Sequence, residues 1–360
     1  MSFDKIIIII MAIFLVIGGL DRIFGNHLKL GEGFEKGIRT TGEMMLSMIG
    51  VIVLAPVLAT VLKPVLVPVY NFLGADAAMF AGTLLAPDMG GAPLAYSLAA
   101  TTEAGQLGGI IAASMLGGTV AFTIPVVMGM FEGEDRSLSA KGILFGVVTI
   151  PIGLIVGGLV AGFNILMVLK NTLPIAIISL LIALGLWKAE RFLVKGFVIF
   201  GKIIIAVATV GIMAAGVESL VGITVIPGLD SLNDAFIVVG QIGIVLAGAF
   251  PLIAVINLIL KKPMEKIGSL LGINASSVSG LMTSLVNSLI MFGMVKDMDK
   301  RGKVINMAFA VSAAFVFGDH LAFTAGFDSS VIAAMIAGKL AAGITAVALA
   351  IVATRKEERI

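Results

Sequence analysis

The chain has 360 residues, of which 59% are hydrophobic and 13% charged, with a formal charge of +2 and a mean hydropathy of +1.14. Soluble domains carry about 25% charged residues, so the composition excludes a soluble globular protein, and the near-zero net charge excludes a nucleic-acid partner gripped by a basic surface. The absence of cysteine removes disulfides and thiolate chemistry, and the two histidines, His27 and His320, cannot by themselves hold a zinc ion; no metal or other cofactor is expected.

A bilayer crossing needs about 20 mostly apolar residues. In chain order such stretches lie near 5–24, 43–62, 76–98, 104–131, 141–164, 172–188, 195–217, 235–260, 275–295, 303–326 and 330–353. The first follows Lys5 and lacks a small-x-small cleavage site, so it reads as a retained helix and not a signal peptide. The third is interrupted. "FAGTLLAPDMGGAPLA", residues 80–95, is apolar at both ends and holds Pro87, Asp88, Gly90 and Gly91 in its middle. Pro87 removes a backbone donor, and the two glycines permit a tight reversal. The segment is expected to turn back on itself and present Asp88 at a cavity, since irregular backbone at membrane depth survives only where protein or water satisfies it. The bland alternative is a kinked packing helix whose aspartate pairs with a lysine.

If every stretch crossed, basic loops would fall on both faces. With 76–98 and 275–295 entering and leaving on one side, the basic clusters around Arg22–Arg39, Arg136–Lys141, Lys188–Lys195, Lys261–Lys266, Lys296–Lys303 and Arg355–Arg359 share one face. Only Lys5, Lys63 and Lys170 lie opposite, as the positive-inside rule prefers. The N-terminus is then outside, the C-terminus inside, with nine full crossings. The halves also echo each other without a gap: Leu73–Leu271, Gly74–Gly272, Asp76–Asn274, Ala77–Ala275 and Gly82–Gly280 match. The expectation is an all-α integral membrane protein, a polytopic helical bundle with two inverted-topology repeats, each carrying a broken helix or re-entrant hairpin. Residues 1–164 form the first repeat, 165–194 a connecting helix and basic loop, and 195–360 the second repeat.

Polar residues inside apolar segments mark the candidate site. In "LMTSLVNSLIMFGM" the spacing puts Ser284, Asn287 and Ser288 on one helical face; Thr83 adds a hydroxyl in the first interrupted segment. Such groups meet a small polar solute or simply join helices. "FVFGDHLAF", residues 315–323, sets Asp319 beside His320 within the span 303–326. On a regular helix they point about 100° apart, and Gly318 can loosen the turn so that both face one cavity. A carboxylate beside an imidazole binds a cation or relays a proton, and Phe315, Phe317 and Phe323 offer aromatic faces to an ammonium or pack against lipid. Buried Lys339 is expected to form an ion pair with Asp319 or Asp88. Lys202 snorkels, and Gln241 and Asn257 add polar points to 235–260.

The runs "RGKVINMAFAVSAAFVFGDHLAF", "PVYNFLGADAAMFAGTLLAPDMGG" and "ALGLWKAERFLVKGFVIFGK" resemble the ethanolamine utilisation permease (EutH) family along nearly the whole chain. One departure stands out: at the second tip the family resembles "NNxPMF", whereas this chain has "NSLIMF" at residues 287–292 and so lacks the proline that sharpens the turn. The resemblance implies a multi-pass protein of the bacterial inner (cytoplasmic) membrane that admits ethanolamine, the feedstock of a cobalamin-dependent ammonia lyase, and is not itself an enzyme. Ethanolamine is mostly protonated at neutral pH, as a lysine-like amine is. Its ammonium wants a carboxylate and aromatic faces; its hydroxyl wants an amide or hydroxyl. The candidate solute contacts are therefore Asp88, Asp319, His320, Asn287, Ser288, Ser284, Thr83 and Phe317, at a midplane site between two discontinuous helices, with Lys339, Pro87, Gly90 and Gly91 in structural roles. The expected partners are ethanolamine and the lipid bilayer, and a homo-oligomer is allowed. A carrier for another small polar solute fits the same pattern. An intramembrane aspartyl hydrolase with an Asp88–Asp319 dyad fits less well, because Pro87 and the glycines break the helix that would hold the first aspartate and Val316 stands where those proteases have glycine.

Overall fold

In lipid every backbone N–H and C=O must be satisfied within the protein, and in the computed structural model all regular structure among the described residues is helical. The structure describes residues 2–354; the side chains at 257, 260–262 and 264–270 are outside that description. Asn257, Lys261, Lys262, Lys266 and the basic tail Arg355, Lys356 and Arg359 therefore lie outside the described side chains.

Two helices lead: α1 (Phe3–Ile23) and α2 (Leu30–Phe72). At 1.5 Å per residue the 43 residues of α2 span about 64 Å, twice the hydrocarbon core. The stretch before residue 43 reads in the sequence as a loop, yet it is helical from Leu30. Its charges explain this: Glu35 bonds Arg39 at 2.5 Å one turn on and also meets Arg22 at 3.5 Å, so the helix continues into water. The first interrupted segment folds as α3 (Ala78–Leu84), a single 3₁₀ turn (Pro87–Met89) and α4 (Gly91–Leu98), a hairpin with Gly90 at φ 88° in its tip. Next, α5 (Thr102–Gln106) continues through wide π-type turns (Leu107–Gly117, Thr119–Thr123) into α6 (Ile124–Met130). Three long helices follow, α7 (Gly133–Val160), α8 (Ile165–Lys188) and α9 (Glu190–Val221). The last part holds α10 (Leu232–Leu271), a second hairpin of α11 (Ala275–Ser284) and α12 (Ser288–Met294), then α13 (Lys300–Ala313), α14 (Asp319–Phe327) and α15 (Ile332–Thr354).

Eight helical stretches among the described residues are long and apolar enough to cross a membrane, and they coincide with eight of the expected crossings. The stretch 303–326, expected as one continuous span, is instead split into α13 and α14 by five unwound residues, 314–318. The cause is tertiary. The N–H groups of Phe315 and Phe317 bond the carbonyls of Ser284 and Leu285 at 3.0 and 2.9 Å, so the second hairpin takes over hydrogen bonds the helix gives up. A Cβ on Gly318 would lie 2.1 Å from the Val286 carbonyl oxygen; only glycine lets the two backbones meet.

The crossing from Thr102 to Met130 is the most enclosed, 72% buried in its apolar window, whereas α1 and α9 are each 17% buried and turn most of their surface outward. Both hairpins pack toward that centre, α3 and α4 against the wide turns and α11 against α13.

Candidate functional site

Four irregular pieces of backbone meet at one point: the tips of the two hairpins, the wide turns and the unwound segment. Between them is a cavity of about 190 Å³ lined by Asp88, Asp319, His320 and Asn287, with Phe122 and Phe315 as its aromatic walls. The volume is room for several waters or a solute of a few heavy atoms.

Each side chain arrives by a local device. Asp88 stands in the 3₁₀ turn, and its Oδ1 is buried with no hydrogen-bond partner among the described residues. Asp319 and His320 open α14 directly after Gly318. His320 is 5% exposed and lies between two groups: its Nε2 is 3.9 Å from Asp88 Oδ1, and its Nδ1 is 3.0 Å from Lys339 Nζ. Lys339, 1% exposed, also donates to the Ser114 carbonyl at 2.5 Å. Phe315 adopts φ 61°, a left-handed conformation unusual for a bulky residue. Its ring is 5.4 Å from His320 and 5.8 Å from Phe122. Strained residues of this kind cluster at functional sites.

The cavity has a neck. Glu43, Asn287 and Asp319 line it and also line a vestibule of about 520 Å³ walled by Glu35, Lys36 and Arg39 of α2. On the other side α14 runs away from Asp319 for nine residues, about 13 Å. There Phe323 and Phe327 stack at 5.1 Å, and Tyr96 meets Phe327 edge-on at 5.2 Å. Just beyond, Asp328 accepts hydrogen bonds from the Tyr96 hydroxyl at 2.7 Å, Gln106 Nε2 at 2.8 Å and the Ser330 hydroxyl at 2.6 Å. Burial alone pushes the Asp328 carboxyl up, but the bonds from Ser330, Gln106 and Tyr96 outweigh it and hold the group below the ordinary aspartate value. This cluster ties the first hairpin to the far end of α14.

Of the residues singled out in the sequence, Asp88, Asp319, His320 and Asn287 line the cavity; Ser284, Ser288, Thr83 and Phe317 do not. The Ser284 and Thr83 hydroxyls are spent on carbonyls of their own helices, Leu281 and Met79. Ser288 is buried at the start of α12, and Phe317 gives its N–H to Leu285. The shared helical face expected for Ser284, Asn287 and Ser288 does not form, because α11 stops at Ser284 and Asn287 is extended, at φ −153°. Asn287 caps α12 by accepting from Leu289 N–H at 2.9 Å, so the second tip turns without a proline. Pro87 begins the 3₁₀ turn, with Gly90 and Gly91 completing the first tip. Lys339 meets His320 and Ser114 where an aspartate was expected. Sequence reasoning missed Glu43, Phe122 and Ser114. Glu43 sits one turn beyond Arg39 on an amphipathic helix start, a signal that was present; Phe122, one phenylalanine in an apolar span, gave none.

The model of the family described as ethanolamine utilisation protein, EutH, matches residues 3–353. A probable ethanolamine permease EutH of Listeria monocytogenes is 52% identical, over 98% of this chain and 94% of its own length. An uncharacterized protein, YxeR, of Bacillus subtilis is 45% identical over 97% of this chain and 95% of its own, and a probable ethanolamine permease EutH of Salmonella typhimurium is 42% identical over 99% and 97%. No solved structure matches the chain. Because the match runs through both hairpins, the wide turns and the split crossing, the chain belongs to the EutH family of ethanolamine utilisation proteins.

Proposed function

We propose that the protein is a permease of the bacterial inner membrane that admits ethanolamine through the cavity between its two broken elements. The names of the relatives support this reading, and one observation carries it. Asp88 and Asp319, with Glu43 at the neck, face a small cavity that also has two phenylalanine walls and an amide. The ammonium of ethanolamine is a cation with three donors. Asp319 at the neck accepts them, and the faces of Phe315 and Phe122 add the attraction of their ring quadrupoles. Asp88 and His320 are left for the hydroxyl.

The same reading takes the two halves as inverted repeats. Gly74 and Gly272, matched in the sequence, both adopt left-handed φ, 70° and 65°, just after a long helix. Asp76 Oδ1 accepts from Ala78 N–H at 2.8 Å and Asn274 Oδ1 from Ser277 N–H at 2.9 Å, each starting the first helix of its hairpin. Gly82 then packs against Gly108 and Gly280 against Asn306 in the same register. The element order repeats with them: long helix, hairpin, irregular crossing.

The deciding experiment is uptake of labelled ethanolamine by purified protein in liposomes, with and without a pH gradient. Saturable uptake above empty liposomes, reduced by Asp319→Asn, is the expected result. Uptake indistinguishable from empty liposomes overturns the proposal.

A further inference from the structure

We infer that Lys339 is a positioning residue that fixes the ring proton of His320 on Nε2, so that His320 and Asp88 form a pair that recognises the solute's hydroxyl and selects an amino alcohol over the corresponding alkylamine. This rests on the reading of the cavity as the ethanolamine site and names which end of the solute goes where.

The argument begins with donor counting. A lysine ammonium has three N–H donors and no acceptor. One goes to the Ser114 carbonyl at 2.5 Å, and the ammonium also lies 3.0 Å from His320 Nδ1. Toward an ammonium at that distance the ring nitrogen offers its lone pair, because two N–H groups would oppose each other. The imidazole then carries its proton on Nε2. In histidine sites the tautomer is generally set by what the other nitrogen bonds, and here that partner is a buried lysine, 1% exposed.

Nε2 faces Asp88 Oδ1 across 3.9 Å. That is too wide for a direct hydrogen bond, and Oδ1 has no other partner among the described residues. A donor and an acceptor, both buried, thus look at each other over a gap at the edge of the cavity. A hydroxyl both accepts and donates. Its oxygen takes the Nε2–H while its hydrogen goes to Oδ1, which closes both ends. A methyl group in its place leaves donor and acceptor unpaired, the arrangement by which a polar site rejects an analogue lacking its hydroxyl. The opposite end of a two-carbon solute then reaches toward Asp319 at the neck.

The first measurement needs no substitution near the site. With only two histidines in the chain, His27→Gln leaves His320 as the single imidazole. Selectively ¹⁵N-labelled protein in nanodiscs reports directly which ring nitrogen bears the proton. A lone pair on Nδ1 is expected; a proton on Nδ1 overturns the inference. The second measurement compares ethanolamine with ethylamine by calorimetry. Ethanolamine should bind at least about tenfold more tightly, the worth of one to two hydrogen bonds. Lys339→Met should weaken ethanolamine and leave ethylamine unchanged, closing most of that gap and mixing the tautomers. Lys339→Gln, which keeps an N–H donor, should restore part of both. Equal affinity for the two amines in the unaltered protein overturns the hydroxyl pair, and so does an equal loss for both in Lys339→Met. If Lys339→Met fails to fold, the tautomer and the amine comparison in the unaltered protein still decide. Binding of neither amine removes the ethanolamine reading and the hydroxyl pair with it, while the tautomer, read without solute, still tests the role of Lys339.

Discussion

Asp319 and Asp88 line one small cavity, and their surroundings differ. Asp319 is at the neck, shared with the vestibule, while Asp88 is on a hairpin tip with an oxygen that has no hydrogen-bond partner among the described residues. Charge-assisted bonds contribute about 1.5–3 kcal/mol, or roughly 10- to 150-fold in affinity. Asp319→Asn should weaken ethanolamine binding by about that factor in calorimetry, with an unchanged unfolding profile; undiminished affinity would remove Asp319 from the site. At this scale the sequence was informative where chemistry is conspicuous. A carboxylate, an imidazole or an amide inside an apolar run stands out, and Asp88, Asp319, His320 and Asn287 all line the cavity. The partner of Lys339 was not legible. Where the backbone leaves the helix at 314–318, helical angles no longer say which of two adjacent side chains, Asp319 or His320, turns toward a given neighbour.

The split crossing carries the lesson at the scale of elements. Nothing in "AVSAAFVFGDHLAF" forbids a continuous helix, since it has no proline. It unwinds because another hairpin accepts its hydrogen bonds, and such a contact joins residues far apart in the chain. The first tip, by contrast, announces itself through Pro87 and two glycines. Gly318→Ala would drive a methyl into the Val286 carbonyl, 2.1 Å away. Overpacking of this kind costs about 1–3 kcal/mol or more, and the expected outcome is a clear drop in Tm of the purified protein; an unchanged Tm would show that the two segments separate easily. The Asp328 cluster has a pH signature. Its carboxyl is held below the ordinary aspartate value in the folded protein. Its contribution is therefore complete above the unfolded pKa, about 3.9, and is lost as pH falls through the lower folded value. Asp328→Asn should lower Tm at neutral pH and remove that part of the acid sensitivity. Identical acid profiles for the two proteins would argue that the cluster does not hold the folded carboxylate.

For the whole molecule, the crossings were legible because about 20 apolar residues in a row have few other fates, and eight of those read from the sequence are long apolar helices. The convergence of both hairpins on one cavity was not, since it depends on close backbone contacts such as Gly82 on Gly108 and Gly318 on Val286. The proposed inverted arrangement has a direct check in a chain free of cysteine. Single cysteines at Asp76 and Glu103 should both react with an impermeant thiol reagent from outside, and those at Asn274 and Lys300 both from inside. A split within either pair would overturn the re-entrant hairpins.

The one-sided neck has a kinetic consequence. The vestibule opens at Asp319, and Tyr96, Phe323, Phe327 and Asp328 pack together beyond the other side of the cavity; with that side closed, a solute in the cavity would see a single bulk phase. Ethanolamine would then pass in discrete parcels, one per breaking and remaking of the Tyr96–Asp328 bond, and never as a stream. Flux through reconstituted protein should saturate with concentration, electrical recording should show no unitary conductance steps, and Tyr96→Phe should change the turnover rate. A flux that stays linear to high concentration would mean that the far end stands open in the working protein.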